Sequence, residues 1–246
     1  MVRNNEVESF LENINNTVYR IDNADDAFKL SKRQKIILSL IQNIKPARIL
    51  DVGFNYFKFD LLLKSLDFSP EVKLLDLDKN RVSLAVENGF DALQCDVSNE
   101  NLPFPDSYFD VVYAGEIIEH LFDTEHFVSE VKRVLKLKSG IFILSTPNLA
   151  AWYNRVLFPI FGIQPFHTEV ALHRDYGRKP FKWGGGYPVG HIHVFTTNAI
   201  REFLNANGFN IKKIKGYPVK EKNLFDLFFA AFPSLSSGVI IISTFQ

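Results

Sequence analysis

The chain has 246 residues, 46% of them apolar and 23% charged, and its 28 Lys and Arg are balanced by 28 Asp and Glu. Such a composition fits one large globular domain with a real core, and a net charge of zero excludes a general polyanion binder, though not a local basic patch. The single cysteine, Cys95, excludes an internal disulfide and suits a reducing, cytoplasmic setting.

The polar start, Met1 to Glu6, lacks the apolar centre of a signal peptide. Residues 1–45 read as a helical cap, with apolar positions at Phe10, Leu11 and Ile14, then Leu30, Ile36, Ile37, Leu40 and Ile41 at the spacing of a helix face. Residues 46–246 read as one domain. An apolar run from Ala47 to Leu50 enters a tight turn at Asp51-Val52-Gly53. Val72–Asp76 is the second strand, and Asp78 caps a helix over Lys79–Glu87 that ends at Asn88-Gly89. Further strands are expected at Ala92–Val97, Phe109–Ala114 and Ile141–Ser145, with an amphipathic helix over Asp123–Leu137.

An aromatic-rich insert at about 148–194 breaks the alternation, and regularity returns with a helix over Thr197–Asn207 and strands near Phe209–Ile214 and Gly238–Thr244. The pattern predicts an α/β, Rossmann-like, doubly wound sheet of seven mostly parallel strands with helices on both faces. The longest apolar stretches, Val156–Ile163 and Leu224–Phe232, fall short of the roughly 20 residues that span a bilayer, so peripheral contact is the only membrane role left open.

Ligands of such sheets bind at the carboxyl ends of the strands. There the sequence sets Asp51 and Gly53, then Asp76, Asp96 and Gly115-Glu116. An acid after the second strand can accept bonds from a ribose diol, and one after the third from the exocyclic amine of a base. Each acid alone is equally well explained as a helix cap, but the ordered set after a DVG turn is not.

The phrases ILDVG, LLDLDKNRVSLAVENGF, LQCDVSNENLPFPDSYFDVVYAGEIIEHL and FVSEVKRVLKLKSGIFILSTPN resemble the successive motifs of class I S-adenosylmethionine-dependent methyltransferases. GHIHVFTTNAIREFLNANGFNIKKIKGY is similar to the last helix and strand of small-molecule members. The resemblance implies S-adenosylmethionine as cofactor, with Asp76 on the ribose hydroxyls, Asp96 on the adenine amine, and Gly53 and Gly115 bordering the methionine portion. Asp51, Asn55, Leu77, Val97 and Glu116 complete the implied cofactor set. Asn55 and Phe57 depart from the family, which carries glycines there. Asn enters the left-handed region readily, whereas a benzyl group either joins an aromatic core or narrows the cleft.

Glu116, Glu119 and His120 fall at i, i+3 and i+4, one face of a helical turn. With His193, or its neighbour His191, they resemble the metal ligands of small-RNA 2′-O-methyltransferases. EIIEHL is equally similar to a phrase in members that use no metal, and no metal is expected on that reading. His120 is the candidate general base, against the plainer role of a hydrogen-bonded histidine at a helix start.

In the insert, Trp152, Tyr153, Phe158, Phe161 and Phe166 are read as a lid over an apolar or sugar-like acceptor, a membrane contact for a lipid-linked one, or a satellite core. A nucleic-acid path is thin, resting on Arg155, Arg174, Arg178, Lys179 and Lys182. The leading expectation is a methyltransferase for a small-molecule, sugar or lipid-linked acceptor. Its rivals are a binding or partner module with an impaired cofactor site and a metal-dependent RNA ribose methyltransferase.

Overall fold

Helix α1, Lys32–Ile44, starts from a capping box in which the Ser31 hydroxyl accepts from the Gln34 backbone N–H and the Gln34 side chain returns to the Ser31 N–H. The computed structural model describes residues 30–54, 58–171, 173, 176–178 and 190–245, so the expected helix around Phe10–Ile14 and the departures at Asn55 and Phe57 lie outside the described residues. After α1 come β1 (Arg48–Val52), α2 (Lys58–Lys64), β2 (Glu71–Asp76), α3 (Lys79–Glu87), β3 (Asp91–Gln94) and β4 (Val111–Gly115). A 3₁₀ turn at Ile118–His120 leads to α4 (Thr124–Val134) and β5 (Ile141–Pro147). The chain continues through α5 (Trp152–Phe161), α6 (Thr197–Ala206), β6 (Phe209–Tyr217), α7 (Leu224–Phe229) and β7 (Gly238–Phe245).

The strands form one seven-stranded sheet in the order β3-β2-β1-β4-β5-β7-β6. Pairing from β3 to β5 is parallel, and β7 lies antiparallel between β5 and β6. Strand order reverses between β1 and β4, which opens a crevice at their carboxyl ends. No described helix is long and apolar enough to cross a membrane.

The period-two alternation of strand side chains divides the core in two. Leu50, Val52, Val112, Ala114 and Leu144 pack with α4 and α6 through Phe127, Val131, Ile200 and Leu204. Ile49, Leu74, Val111, Tyr113 and Ile143 pack with α1, α2 and α3 through Ile37, Ile41, Leu63, Val82 and Ala85. This parity decides which helices can reach each residue at the sheet edge.

Several boundaries correct the sequence reading. β3 ends at Gln94, not Val97, because Asp96 Oδ1 accepts from the Ser98 N–H and closes a local turn. β4 begins at Val111 because Phe109 instead pairs with Leu135, and that same bridge ends α4 at Val134 rather than Leu137. The insert was expected to be irregular, yet it contains α5, which carries Pro159 and closes on Gly162 in the left-handed conformation.

Candidate active site

Asp51 has the same strand parity as Tyr113 and Ser145, so it faces α1 and α2 rather than α4. There it meets Asp60 of α2, and both are almost fully buried. Among the described residues neither oxygen of Asp60 meets a donor when both acids are ionised, and a proton shared with Asp51 would supply one. Burial raises Asp60 to about 6, and burial with the charge of Asp60 holds Asp51 well above the carboxylate range. Arg33 of α1 enters the same side. Its Nη1 donates to Ser145 Oγ at 3.0 Å and lies 3.6 Å from Glu116 Oε1.

The turn after β1 needs its glycine. Gly53 has φ +73°, and a Cβ there would lie 2.9 Å from the Ile117 side chain. Gly115 likewise leaves room for the Tyr113 hydroxyl, 2.1 Å from where a Cβ would stand, and for Arg33 at 3.0 Å. A polar floor of Asp51, Asp60, Arg33, Tyr113 and Ser145 thus lies beneath the crevice.

Asp76 stands at the end of β2 as expected. Its Oδ1 accepts from the Asp78 N–H at 2.8 Å and its Oδ2 from Arg81 Nη1 at 3.0 Å. Burial raises its pKa, while the Asp78 N–H and Arg81 oppose the shift. Leu77 is 63% exposed, an apolar surface that a flat ring can cover. Asp96 accepts from Ser98 N–H and from Asn99 Nδ2, and Val97 is buried in the core below it.

Glu116, after β4, adopts φ 59°, a strained backbone for a non-glycine residue. Its Oε1 accepts from the Tyr217 hydroxyl at 2.6 Å. Glu119 is buried one turn further on. Thr146 Oγ1 donates to its Oε2 at 3.1 Å, and burial together with Glu116 pushes its pKa up to about 8. The four residues grouped by spacing do not converge. Glu116 turns to Tyr217 and Arg33, and His193 Nε2 lies 3.5 Å from the Phe122 carbonyl. Among the described residues, Glu119 and His120 are joined instead by His191.

The insert aromatics divide. Tyr153 and Phe166 form a small core with Ala151, whereas Phe158 and Phe161 are exposed. Trp152 stacks on Phe229 of α7 with ring centroids 5.3 Å apart, and its Nε1 donates to Asp226. Arg33, Asp60, Ser145, Thr146 and Tyr217 escaped the sequence reading. The signal for Asp60 is an acid inside the apolar run FDLLL. The others carry no local signal.

Residues 50–144 match the model of a methyltransferase domain. Over these residues the chain is similar to methyltransferase domains. A probable S-adenosylmethionine-dependent methyltransferase of Mycolicibacterium smegmatis is 45% identical over 68 residues, 28% of this chain and 25% of the relative. Ajmaline N-methyltransferase of Rauvolfia serpentina is 35% identical over 112 residues, 41% of this chain and 36% of the relative. The matched part thus spans between about a quarter and just over a third of these relatives.

Among solved structures, a SAM-dependent methyltransferase of Methanosarcina mazei superposes with a TM-score of 0.58 at 20% identity, covering 83% of this chain and 95% of the other. A [4+2]-cyclase superposes with a TM-score of 0.56 at 15% identity, covering 89% and 85%. Both share the fold of the methyltransferase domain. The cyclase shows that the fold by itself does not fix the reaction.

Proposed function

We propose that the chain is an S-adenosylmethionine-dependent methyltransferase acting on a small-molecule, sugar or lipid-linked acceptor. The observation that carries this reading is the ordered placement of Asp51 and Asp76 at the carboxyl ends of β1 and β2 and of Asp96 just after β3, beside the positive-φ turn at Gly53. Asp76 and the exposed Leu77 suit a ribose diol and an adenine ring, while Asp96 suits the exocyclic amine. Cofactor binding requires Arg81 to yield or share Asp76 Oδ2.

S-adenosylmethionine supplies an electrophilic methyl group, and the protein's task is to hold the acceptor in line with it. His120 is the candidate base. Its Nδ1 lies 3.0 Å from the Gly190 carbonyl, and a carbonyl only accepts, so Nδ1 carries a proton and the neutral ring has its lone pair on Nε2. An apolar or lipid-linked acceptor is supported by Phe158, Ile160 and Phe161 of α5 and Leu224, Phe225 and Phe228 of α7, all exposed on two helices joined through Trp152. An RNA acceptor is not favoured. Arg155 and Arg178, the described members of the thin basic path, are spent on backbone carbonyls.

The second reading, a methyltransferase-like binding module, is favoured by the Arg81 pair on Asp76 and by Asn55 and Phe57 at the glycine positions. Calorimetric titration with S-adenosylmethionine and its demethylated product separates the two. The enzyme reading expects binding, weakened by about 1–3 kcal/mol in Asp76→Ala through lost charge-assisted bonds. Absence of heat at millimolar ligand favours the module.

A further inference from the structure

Three side chains on the α4 side of the sheet edge meet with one donor atom left open on each. Glu119 and His120, from the turn after β4, and His191, from the segment before α6, each bring a ligand-type atom within 4.8 Å of the other two. The His120 and His191 rings lie 4.9 Å apart between centroids.

The other atom of each side chain is held. Glu119 Oε2 accepts from Thr146, while its Oε1 is buried with no partner among the described residues. His120 Nδ1 lies 3.0 Å from the Gly190 carbonyl, and His191 Nδ1 lies 3.3 Å from the His167 carbonyl. Both bonds place a proton on Nδ1, so in the neutral ring the lone pair is on Nε2. A backbone or hydroxyl group that fixes the far atom of each ligand is the usual support of a metal site. A buried carboxylate oxygen without a donor is otherwise costly.

The two segments are also tied together. The Ile192 and His193 N–H groups both donate to the Glu119 carbonyl, at 2.8 and 3.0 Å, and the Gly190 N–H donates to Glu169. His167, whose carbonyl holds His191, has φ 75°. A strained backbone thus supports the bond that orients the third ring.

We infer that Glu119, His120 and His191 bind one divalent first-row transition ion, of the class of Zn²⁺, Mn²⁺ or Co²⁺. Two imidazole nitrogens and one carboxylate oxygen favour such ions over Mg²⁺ and Ca²⁺, which prefer oxygen alone. Bonds of about 2.0–2.2 Å put ligand atoms about 3–3.5 Å apart, so binding draws the three atoms closer. Three protein ligands leave a coordination position open beside the end of β4, on the acceptor side of the crevice. This inference concerns binding and does not rest on methyl transfer; an ion on His120 Nε2 occupies the lone pair that a base would use, so His120 serves one of the two roles and not both.

The test uses the full chain without a histidine tag, titrated with Co²⁺ by visible absorption and calorimetry. The expected result is one ion per chain, with His120→Asn, His191→Asn and Glu119→Gln each weakening binding at least about tenfold. His193→Asn is expected to leave affinity within about twofold. Should Glu119→Gln fail to fold by circular dichroism, the part-exposed His191→Asn carries the test. No binding of Co²⁺ or Zn²⁺ up to about 1 mM, or His191→Asn binding like the parent chain, overturns the site. So does an equal loss in His193→Asn. Titration of the same metal-free samples with S-adenosylmethionine keeps a failed metal site distinct from a failed cofactor site.

Discussion

At one sheet edge, Asp51 and Asp60 share a buried space against α1 and α2, while Glu116 and Glu119 stand a few residues apart after β4. Among the described residues no residue other than Asp51 shares a hydrogen bond with the Asp60 carboxyl through its side chain, so a proton held between the two acids relieves their repulsion. In the second pair, Tyr217 donates to Glu116 and Thr146 donates to Glu119, so each acid has a donor of its own, although the charge of Glu116 still raises Glu119. Burial alone therefore does not decide the state of an acid here. The donors that strand parity brings to its side of the sheet do, and each pair can be altered by changing those donors.

Arg33 serves both pairs, and its loss has the largest expected effect. Its positive charge favours ionised Asp51 and Glu119 and lies 3.6 Å from Glu116. Arg33→Met fills similar volume but leaves the buried Asp51 and Glu119 and the part-buried Glu116 without their cation. A destabilisation of about 3–5 kcal/mol is expected, as for breaking a buried ion pair from one side. Urea denaturation measures it. A cost below about 1 kcal/mol would mean that both pairs neutralise themselves by protonation, erasing the contrast between them.

The effect of Asp60→Asn has the opposite sign. The native pKa of Asp60 is raised to about 6 from an ordinary carboxylate value, so the folded state binds more protons than the unfolded one between about pH 4 and 6. Stability is therefore lost as pH rises through that window, and no further loss from this group follows above it. Asn cannot ionise and keeps a donor for Asp51, so the variant should gain about 1–3 kcal/mol at pH 7 and show a flatter profile from pH 4 to 7. Thermal melts across that range check it, and a variant less stable than the parent at pH 7 refutes the shared-proton account.

The parts legible in sequence are those whose signal is local. Parallel strands β1, β2, β4 and β5 are short apolar runs, and α3 announces itself by the Asp78 cap, whose side chain accepts from the Asn80 N–H. Helix α5 hides because it is apolar on most sides and holds Pro159, a residue that argues against a helix interior. At the site, the strand-end acids were readable because one element places each of them. Arg33 and Asp60 were not, since their partners lie on β1, β4 and β5 and only strand parity joins them. Spacing grouped Glu119 with His120, which the structure also sets side by side, but offered His191 and His193 on equal terms. The docking of 192 and 193 on the Glu119 carbonyl decides which ring reaches the cluster.

Thr146→Val tests the other half of the comparison, and its expected effect is the smallest. Valine keeps the volume and β-branching that suit β5, so packing changes little. What disappears is the hydroxyl that donates to Glu119 Oε2 at 3.1 Å. Glu119 would then have both oxygens without a side-chain donor, like Asp60. A loss of about 1–2 kcal/mol is expected by denaturation at neutral pH, the cost of leaving a buried acceptor unpaired. Because the donor favours the ionised acid, its removal should also move Glu119 further above about 8. Infrared or NMR titration of the Glu119 carboxyl reads that direction. A downward shift would mean that Thr146 is not the donor that separates the second pair from the first.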